Sequence, residues 1–247
     1  YKLSSIEQAA AAVRFLYRSK GMANPFETEG MRLFMRGLRR KLGAERRQAR
    51  PLTTDLLKTL TWDAGPKGVR DKALFFTGFF AALRVSELLA LRYEDIEITP
   101  EGVILTIKKS KTDQVGRGRQ VAIPRAAKGL CPVAILEAYL DLRGRAKGPL
   151  FQSITKGGRL TGRPIARQDV HYLIKRYMAK MGLDPSFYST HSMRAGFATA
   201  AALRGIELET IASQTGHRSM EVLRGYIRRA NLFQRNAAKI VFGHGKS

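Results

Sequence analysis

The sequence predicts a mainly α-helical protein that contains one small antiparallel β-sheet. Along most of the chain, apolar residues recur at the three- and four-residue spacing of helices. Over residues 96–124 this spacing gives way to the alternating pattern of strands. With 247 residues, 44% of them hydrophobic, the chain can bury a sizeable core in one large domain, or in one domain and a smaller piece.

The first elements are two helices, predicted at residues 5–19 and 27–42 and separated by a turn that contains glycine and proline. The basic, polar segment GAERRQARPLT that follows is typical of a linker. At its end, Thr53 or Thr54 can cap the next helix, because a threonine hydroxyl accepts a free N–H of the first turn.

The middle of the chain combines helices with the predicted sheet. Helices are predicted at residues 54–62 and 69–83, with a short helix after Arg84. The stretches GVILTIKK and GRQVAIP then predict two strands around a turn rich in lysine and glycine. Helices are predicted again at residues 132–142, 168–181, 190–204, 208–214, 219–227 and 232–241.

The charge of the chain indicates a polyanionic partner. Lysine and arginine number 44 against 20 aspartate and glutamate residues, which gives a net charge of +24 and a pI near 10.8. The basic residues are spread along the chain, so a folded surface should carry this charge. Nucleic acid is the leading candidate.

Cysteine and histidine usage narrows the class of protein further. Cys131 is the single cysteine, which excludes an internal disulfide framework and predicts a reducing, cytoplasmic location. The four histidines do not have the spacing of metal ligands, so no metal site is predicted. The longest apolar run, at residues 73–83, is too short to cross a bilayer and predicts a core helix; no secretory signal is visible.

Two pairs of residues could bind an anion. His191 and Arg194 are three residues apart on a predicted helix, near the N-terminus where anions are favoured. Arg84 follows the apolar run, with Glu87 three residues later. Taken alone, the first pair is equally consistent with an ordinary amphipathic helix face. For Arg84, a solvated helix end is the more common arrangement and a position at a cleft wall is the alternative; Glu87 either pairs with Arg84 or orients a nearby cation or histidine.

Tyr226 lies nine residues after His217, in GHRSMEVLRGYIRR. Its ring could simply pack beside Val222 and Leu223. A tyrosine, whose pKa is about 10, becomes a nucleophile only when a base takes its proton or cations favour the phenolate. The predicted hairpin carries Lys108, Lys109 and Lys111, for which solvent or non-specific phosphate contact is the usual role.

The order of these features resembles the tyrosine recombinase (phage integrase) family. The resemblance is carried by ALRVSELLAL, KSKTDQ, THSMRAGFAT and TGHRSMEVLRGYIR, and it covers residues 51–229. It implies the mainly helical catalytic fold of these DNA breaking and rejoining enzymes. Residues 1–50 look like the last part of the family's DNA-clamping core-binding domain and a linker, residues 51–229 like the catalytic domain, and residues 230–247 like a C-terminal helix.

The resemblance also implies a role for each site residue. Arg84 and Arg194 would hold the scissile phosphate, and Tyr226 would attack it to form a 3′-phosphotyrosine. Lys111, favoured over its two neighbours by the SKT context, would protonate the leaving 5′ oxygen. His191 would assist proton transfer at the tyrosine, His217 would donate to the phosphate, and Glu87 would support the site. The expected DNA-contacting residues are Lys108, Lys109, Arg117, Arg119, Arg224 and Arg228.

The implied activity is site-specific recombination for a phage or mobile element of a prokaryote, with no metal and no ATP. The expected partners are double-stranded DNA at specific sites, three further copies of the chain in a tetramer on DNA, and a DNA-bending accessory protein; without DNA a monomer is expected, and no membrane partner. A type IB topoisomerase and a non-catalytic DNA-binding regulator remain alternatives. The apolar face predicted within residues 232–241 either folds back on its own domain or docks on a neighbouring subunit.

Overall fold

The computed structural model describes residues 1–43, 49–108, 118–127, 130–217 and 219–230, with residues 222 and 227–230 described by their backbone alone. The described helices are α1 (Leu3–Ser19), α2 (Glu29–Leu42), α3 (Thr54–Thr59), α4 (Gly65–Phe80), α5 (Val85–Ala90), α6 (Pro132–Arg143), α7 (Arg167–Lys180), α8 (His191–Leu203), α9 (Leu208–Thr215) and α10 (Met220–Ala230). The strands are β1 (Ile96–Ile98), β2 (Gly102–Ile107), β3 (Arg119–Pro124), β4 (Gln152–Ile154) and β5 (Leu160–Pro164). The predicted fold class, mainly helical with small antiparallel sheets, is confirmed. The chain divides into two compact units, Tyr1–Gln48 and Ala49–Ser247.

The first unit consists of α1 and α2, as the apolar spacing predicted. Ala10 of α1 and Met35 of α2 are its buried side chains. The Thr28 hydroxyl caps α2 by accepting the Met31 N–H. Arg39 donates from Nε to the Glu7 carboxylate at 2.8 Å, which joins the two helices at the surface.

The second unit begins with a capped helix. The Thr53 hydroxyl accepts the Leu56 N–H at 3.1 Å, so Thr53, the first of the two predicted candidates, is the cap. This helix, α3, ends at Thr59, three residues earlier than predicted. The next helix, α4, begins at Gly65, four residues before the predicted start, with Pro66 in its first turn. Proline suits that position because the first turn needs no N–H donor.

The core is centred on α4, where the longest apolar run was predicted to lie. Its Leu74, Phe75, Phe76 and Phe79 side chains are all buried. The helix packs against both α6 and α8. None of the helices in the described part of the chain combines the length and the hydropathy that a membrane span requires.

The predicted hairpin is present as β2 and β3, and a third strand, β1, pairs with β2. The sheet has the order β1–β2–β3 and is antiparallel throughout. Val103 of β2 is paired with Ile123 of β3, and both side chains are buried. The predicted turn between β2 and β3 falls on residues 109–117, which lie outside the described residues.

A second hairpin, β4–β5, was not predicted. Its strands are only three and five residues long, and most of their side chains are partly or fully exposed. Neither strand therefore shows the apolar alternation by which a half-buried strand is detected. The pairing is also irregular, with a register shift between Gln152 and Ile154.

Helix α8 is held close to the segment that precedes α3. The Leu52 N–H donates to the Ser192 carbonyl at 2.9 Å. A Cβ atom at Gly196 would lie 1.9 Å from the Leu52 carbonyl oxygen, so only glycine permits this approach. The contact fixes the N-terminal half of α8, which carries His191 and Arg194.

Candidate active site

The site begins where α4 ends and α5 starts. Ala82 adopts a left-handed backbone conformation with φ 51°, which is rare for a residue with a Cβ atom and costs about 1–2 kcal/mol. This turn brings Arg84 to the N-cap of α5. Buried Glu87 accepts the Arg84 backbone N–H at 3.0 Å and Arg84 Nη1 at 2.6 Å. The predicted Arg84–Glu87 pair is therefore formed, and it orients the guanidinium.

Arg194 lies on α8 and is 1% exposed. Its Nη1 donates to the Ala82 carbonyl at 2.9 Å and to the Thr215 carbonyl. No described residue accepts a hydrogen bond from Nε or Nη2. Burial and the neighbouring Arg84 lower the pKa of Arg194 to about 10, so it stays charged at neutral pH. A buried cation with two unpaired donor nitrogens is costly unless an anion accepts their hydrogen bonds.

The C-terminus of α9 accepts hydrogen bonds from three arginines. Gly216 ends this helix with φ +64°. The Gln214 carbonyl accepts Arg119 Nη1 at 3.0 Å, the Thr215 carbonyl accepts Arg194 Nη1, and the Gly216 carbonyl accepts Arg84 Nη2 at 3.4 Å. The last carbonyls of a helix lack partners within it and form its negative pole. They therefore hold three guanidinium groups at one place.

His217 follows this helix end directly. Its Nδ1 lies 2.7 Å from the Thr215 hydroxyl oxygen. Burial and the charges of Arg194 and Arg84 lower the pKa of His217 to about 3, so the ring is neutral at pH 7. The same hydroxyl donates to the Ile211 carbonyl at 2.7 Å, and in that state it accepts from Nδ1–H. When the hydroxyl turns to donate to Nδ1 instead, the ring proton resides on Nε2, which is then an N–H donor.

Tyr226 both packs and takes part in the polar cluster. Its half-buried ring packs against the apolar cluster that includes fully buried Leu223, as the simpler interpretation expected. Its hydroxyl oxygen lies 2.7 Å from His191 Nε2. Burial, Arg194 and Arg84 lower the pKa of His191, which keeps the imidazole neutral and able to accept a proton. The two rings are thus arranged as an acid and a base.

The described site is an anion-binding pocket with a hydroxyl at its edge. The site contains three arginines, two neutral histidines and one carboxylate, so positive charge dominates. The two unpartnered nitrogens of Arg194, Nε and Nη2, suit two oxygens of a tetrahedral anion. Among the described residues, no group of three or more histidine, cysteine or acidic side chains could hold a metal ion.

The remaining predicted residues have different surroundings. Lys108 is 62% exposed and pairs with Asp95 at 2.5 Å. Arg119, expected to contact DNA, reaches Glu87 and the end of α9. Arg224 is exposed on α10. Outside the described residues or side chains lie Lys109, Lys111, Arg117 and Arg228.

Sequence reasoning missed the residues that position these side chains. Ala82, Gln214 and Thr215 act through backbone carbonyls or a hydroxyl, and their types carry no functional signal in a sequence. The one signal in the sequence was that Thr215 lies two residues before His217, close enough for its hydroxyl to contact the histidine ring.

Most of the chain is similar in sequence to known proteins. Residues 50–232 match the family model described as "Phage integrase family". An integrase/recombinase xerD homolog from Selenomonas ruminantium is 38% identical over 221 residues, which cover 88% of this chain and 65% of that protein. A tyrosine recombinase XerD from Xanthomonas axonopodis pv. citri (strain 306) is 30% identical over 165 residues, covering 65% of this chain and 51% of that protein. The chain thus spans about half to two thirds of the length of these relatives.

A solved structure shares the fold. The Tn1549 transposon integrase, in complex with circular intermediate DNA, superposes with a TM-score of 0.66 over 98% of this chain and 80% of that one. The two sequences are 17% identical, so this likeness concerns the fold alone.

Proposed function

The chain belongs to the phage integrase family of tyrosine recombinases, and from this premise we propose that it is a site-specific DNA recombinase that cuts and rejoins strands through a 3′-phosphotyrosine. One observation carries the proposal: the Tyr226 hydroxyl lies 2.7 Å from a neutral histidine, in the same cluster as three buried or half-buried arginines. This arrangement joins a nucleophile, its base and an anion pocket. The curated relatives named above, a xerD homolog and XerD, are recombinases by name.

In the proposed reaction, the Tyr226 oxygen attacks the phosphorus while its proton moves to His191 Nε2. The new bond joins the tyrosine to the 3′ phosphate, and the bond from phosphorus to the 5′ oxygen breaks. Lys111 supplies the proton that the leaving 5′ oxygen needs. The reverse reaction, with the 5′ hydroxyl of another strand, rejoins the DNA without an external energy source.

The arginines stabilise the transition state in this scheme. Arg84 and Arg194 donate to the non-bridging oxygens, where negative charge develops as the phosphorus becomes five-coordinate. His217 donates from Nε2 to one of the same oxygens, once the Thr215 hydroxyl has turned from the Ile211 carbonyl to His217 Nδ1. Since Glu87 and the end of α9 already hold the guanidinium groups, little reorganisation is needed at the moment of reaction.

The DNA contacts, the assembly and the roles of the two chain regions are part of the same proposal. Lys108, Lys109, Arg117, Arg224 and Arg228 contact the DNA backbone around the cut. Four subunits act on two sites in the cytoplasm of a prokaryote, for a phage or mobile element, and a DNA-bending protein assists them. Residues 1–50 form part of the DNA clamp, and residues 51–229 perform the chemistry.

Two differently labelled duplexes, each carrying the recombination site, test the proposal. A recombinase produces strands that join the two labels. Strands that are cut and resealed only to their own ends would support a topoisomerase instead. Binding without any covalent adduct would support a DNA-binding regulator of the same fold.

The depressed pKa of His217 predicts how stability depends on pH. The unfolded chain binds a proton at His217 below about pH 6.5, whereas the folded protein resists protonation down to a pKa of about 3. The unfolded state therefore binds more protons in this window, and the free energy of unfolding should fall as the pH falls from 6.5. Denaturant unfolding of the DNA-free protein should show a smaller pH effect in His217→Asn than in the parent protein. An identical pH effect in both would contradict the assignment of a buried neutral ring.

We also propose that the C-terminal segment, residues 230–247, docks on a neighbouring subunit. An apolar groove of about 880 Å³ lies between α4, β3, α8 and α9, with Phe79, Phe80, Phe197 and Ile211 among its lining residues. The apolar residues 232, 233, 237, 240 and 241 of the C-terminal segment are complementary in character to this lining. Head-to-tail docking of this kind closes a ring.

Removal of residues 230–247 tests this placement. The truncated protein should remain folded and bind DNA, but assemble and recombine poorly, as measured by sedimentation on DNA and by strand exchange. Full assembly and recombination would rule out docking on a neighbour. Unfolding of the truncated protein would instead show that the segment folds back on its own domain.

A further inference from the structure

Arg119 joins three parts of the candidate active site. Its Nη2 lies 3.4 Å from Glu87 Oε2, and its Nη1 donates to the Gln214 carbonyl at 3.0 Å. We propose that Arg119 is a positioning residue for strand cleavage, which fixes Arg84 through the shared carboxylate of Glu87 and fixes His217 through the end of α9. This inference rests on the proposed function and gives Arg119 a role other than contacting DNA.

The contacts of Arg119 face the protein interior. Both Nη atoms are directed at protein acceptors, and the side chain is 22% exposed. A Cβ atom at Gly216 would lie 3.0 Å from Arg119 Nε, so the guanidinium lies directly against the glycine backbone. Burial lowers the pKa of Arg119 while Glu87 opposes this shift, as expected for a cation held away from water by a carboxylate. A flexible phosphate contact would instead keep its guanidinium in solvent.

Glu87 shows how Arg119 could act on Arg84. One carboxylate oxygen, Oε1, accepts Arg84 Nη1 at 2.6 Å. The other, Oε2, accepts the Arg84 backbone N–H at 3.0 Å and faces Arg119 Nη2. Without Arg119 the buried carboxylate loses one of its two cations and can rotate, and the Arg84 guanidinium would rotate with it.

The end of α9 is tied to β3 by two side chains. Arg119 of β3 donates to the Gln214 carbonyl, and Gln214 Nε2 donates back to the Ala122 carbonyl of the same strand at 3.2 Å and to the Phe80 carbonyl at 3.0 Å. The residues that follow directly, Thr215 to His217, hold Arg194, Arg84 and the His217 ring. The strand therefore sets the position of the turn that assembles the site.

The test compares Arg119→Ala and Arg119→Lys with the parent protein in single-turnover cleavage of a nicked DNA site. Misplacing a catalytic group typically costs about 10- to 100-fold in rate, and we expect both variants to lose activity on this scale. Lysine keeps the charge, but a single ammonium cannot reproduce the planar two-pronged contact. Arg125→Ala is the matched control: Arg125 follows the same strand and forms a two-pronged pair with Glu137, away from the site. Its cleavage rate should equal that of the parent.

Two further readouts separate positioning from a general loss of structure. The double variant Arg84→Ala/Arg119→Ala should lose less activity than the two single losses combined, because part of the effect of Arg119 passes through Arg84 and only the part that passes through His217 remains. A methylphosphonate at the cut site lacks the phosphate charge that Arg84 neutralises, so the Arg119→Ala defect should shrink on that substrate. A defect of equal size on both substrates, additive losses in the double variant, or full activity of Arg119→Lys would each overturn the inference.

The outcome also distinguishes this inference from the proposed function. A parent protein that forms no covalent adduct contradicts the proposed function itself. A parent protein that cleaves at the same rate as Arg119→Ala contradicts only the positioning role. If thermal unfolding shows that Arg119→Ala does not fold, Arg119→Lys decides the matter.

Discussion

Tyr226→Phe is expected to abolish covalent attachment of the protein to DNA. The substitution removes the hydroxyl that we propose attacks phosphorus, whose oxygen lies 2.7 Å from the proposed base, His191 Nε2. DNA binding should be nearly unchanged, because the affinity of a strongly basic protein comes from many phosphate contacts. Denaturing gels of protein incubated with nicked DNA measure the adduct, and a mobility shift measures binding.

Tyr172→Phe is the matched control for this experiment. Tyr172 lies on α7 and is 64% exposed, so its loss should leave both adduct and binding unchanged. Adduct formation by Tyr226→Phe would show that another residue is the nucleophile, and the roles of His191 and the arginine cluster in the proposed reaction would be wrong.

Arg194→Ala and Arg84→Ala are expected to reduce cleavage by about 10²- to 10³-fold each, or about 2.7–4 kcal/mol, the usual cost of one lost transition-state donor. Affinity for a long duplex should fall far less. In the DNA-free protein two effects of Arg194→Ala on the free energy of unfolding oppose each other. The substitution leaves the buried Ala82 and Thr215 carbonyls without this donor, but it also removes a buried cation that lacks an anion. The change in stability should therefore be smaller than the loss of transition-state stabilisation.

The comparison of rates with affinities decides whether these arginines are catalytic. Arg163→Ala, at an exposed position of β5, controls for the loss of one positive charge. Equal losses of cleavage and binding in Arg84→Ala and Arg194→Ala would make them ordinary phosphate contacts.

Local sequence patterns predicted much of the fold. The helices and the β2–β3 hairpin follow from the change in apolar spacing, and Thr53 caps α3 because a threonine hydroxyl suits that position. The β4–β5 hairpin has no such pattern, since its short strands bury few side chains. The predicted C-terminal helix at residues 232–241 lies outside the described residues and stays a prediction.

The sequence predicted the residue types of the candidate site, but among their contacts only the local pair of Arg84 with Glu87. Motif order identified Arg84, Glu87, His191, Arg194, His217 and Tyr226, and the structure brings these side chains together. The contacts of Arg119 with Gln214 and of Arg84 with Gly216 join residues 95 and 132 positions apart. Pairings at such separations are set by tertiary packing, and no local pattern in one sequence encodes them. The role of Lys111, outside the described residues, stays a prediction.

The most direct test of the proposed chemistry is to identify the residue that becomes attached to DNA. The protein is trapped on a nicked site whose short 5′ fragment diffuses away, the adduct is digested with protease, and the nucleotide-bearing peptide is sequenced by mass spectrometry. We predict a single modified residue, Tyr226, linked to a 3′ phosphate. Attachment through any other residue, or through a 5′ phosphate, would contradict the assignment of Tyr226 as the nucleophile.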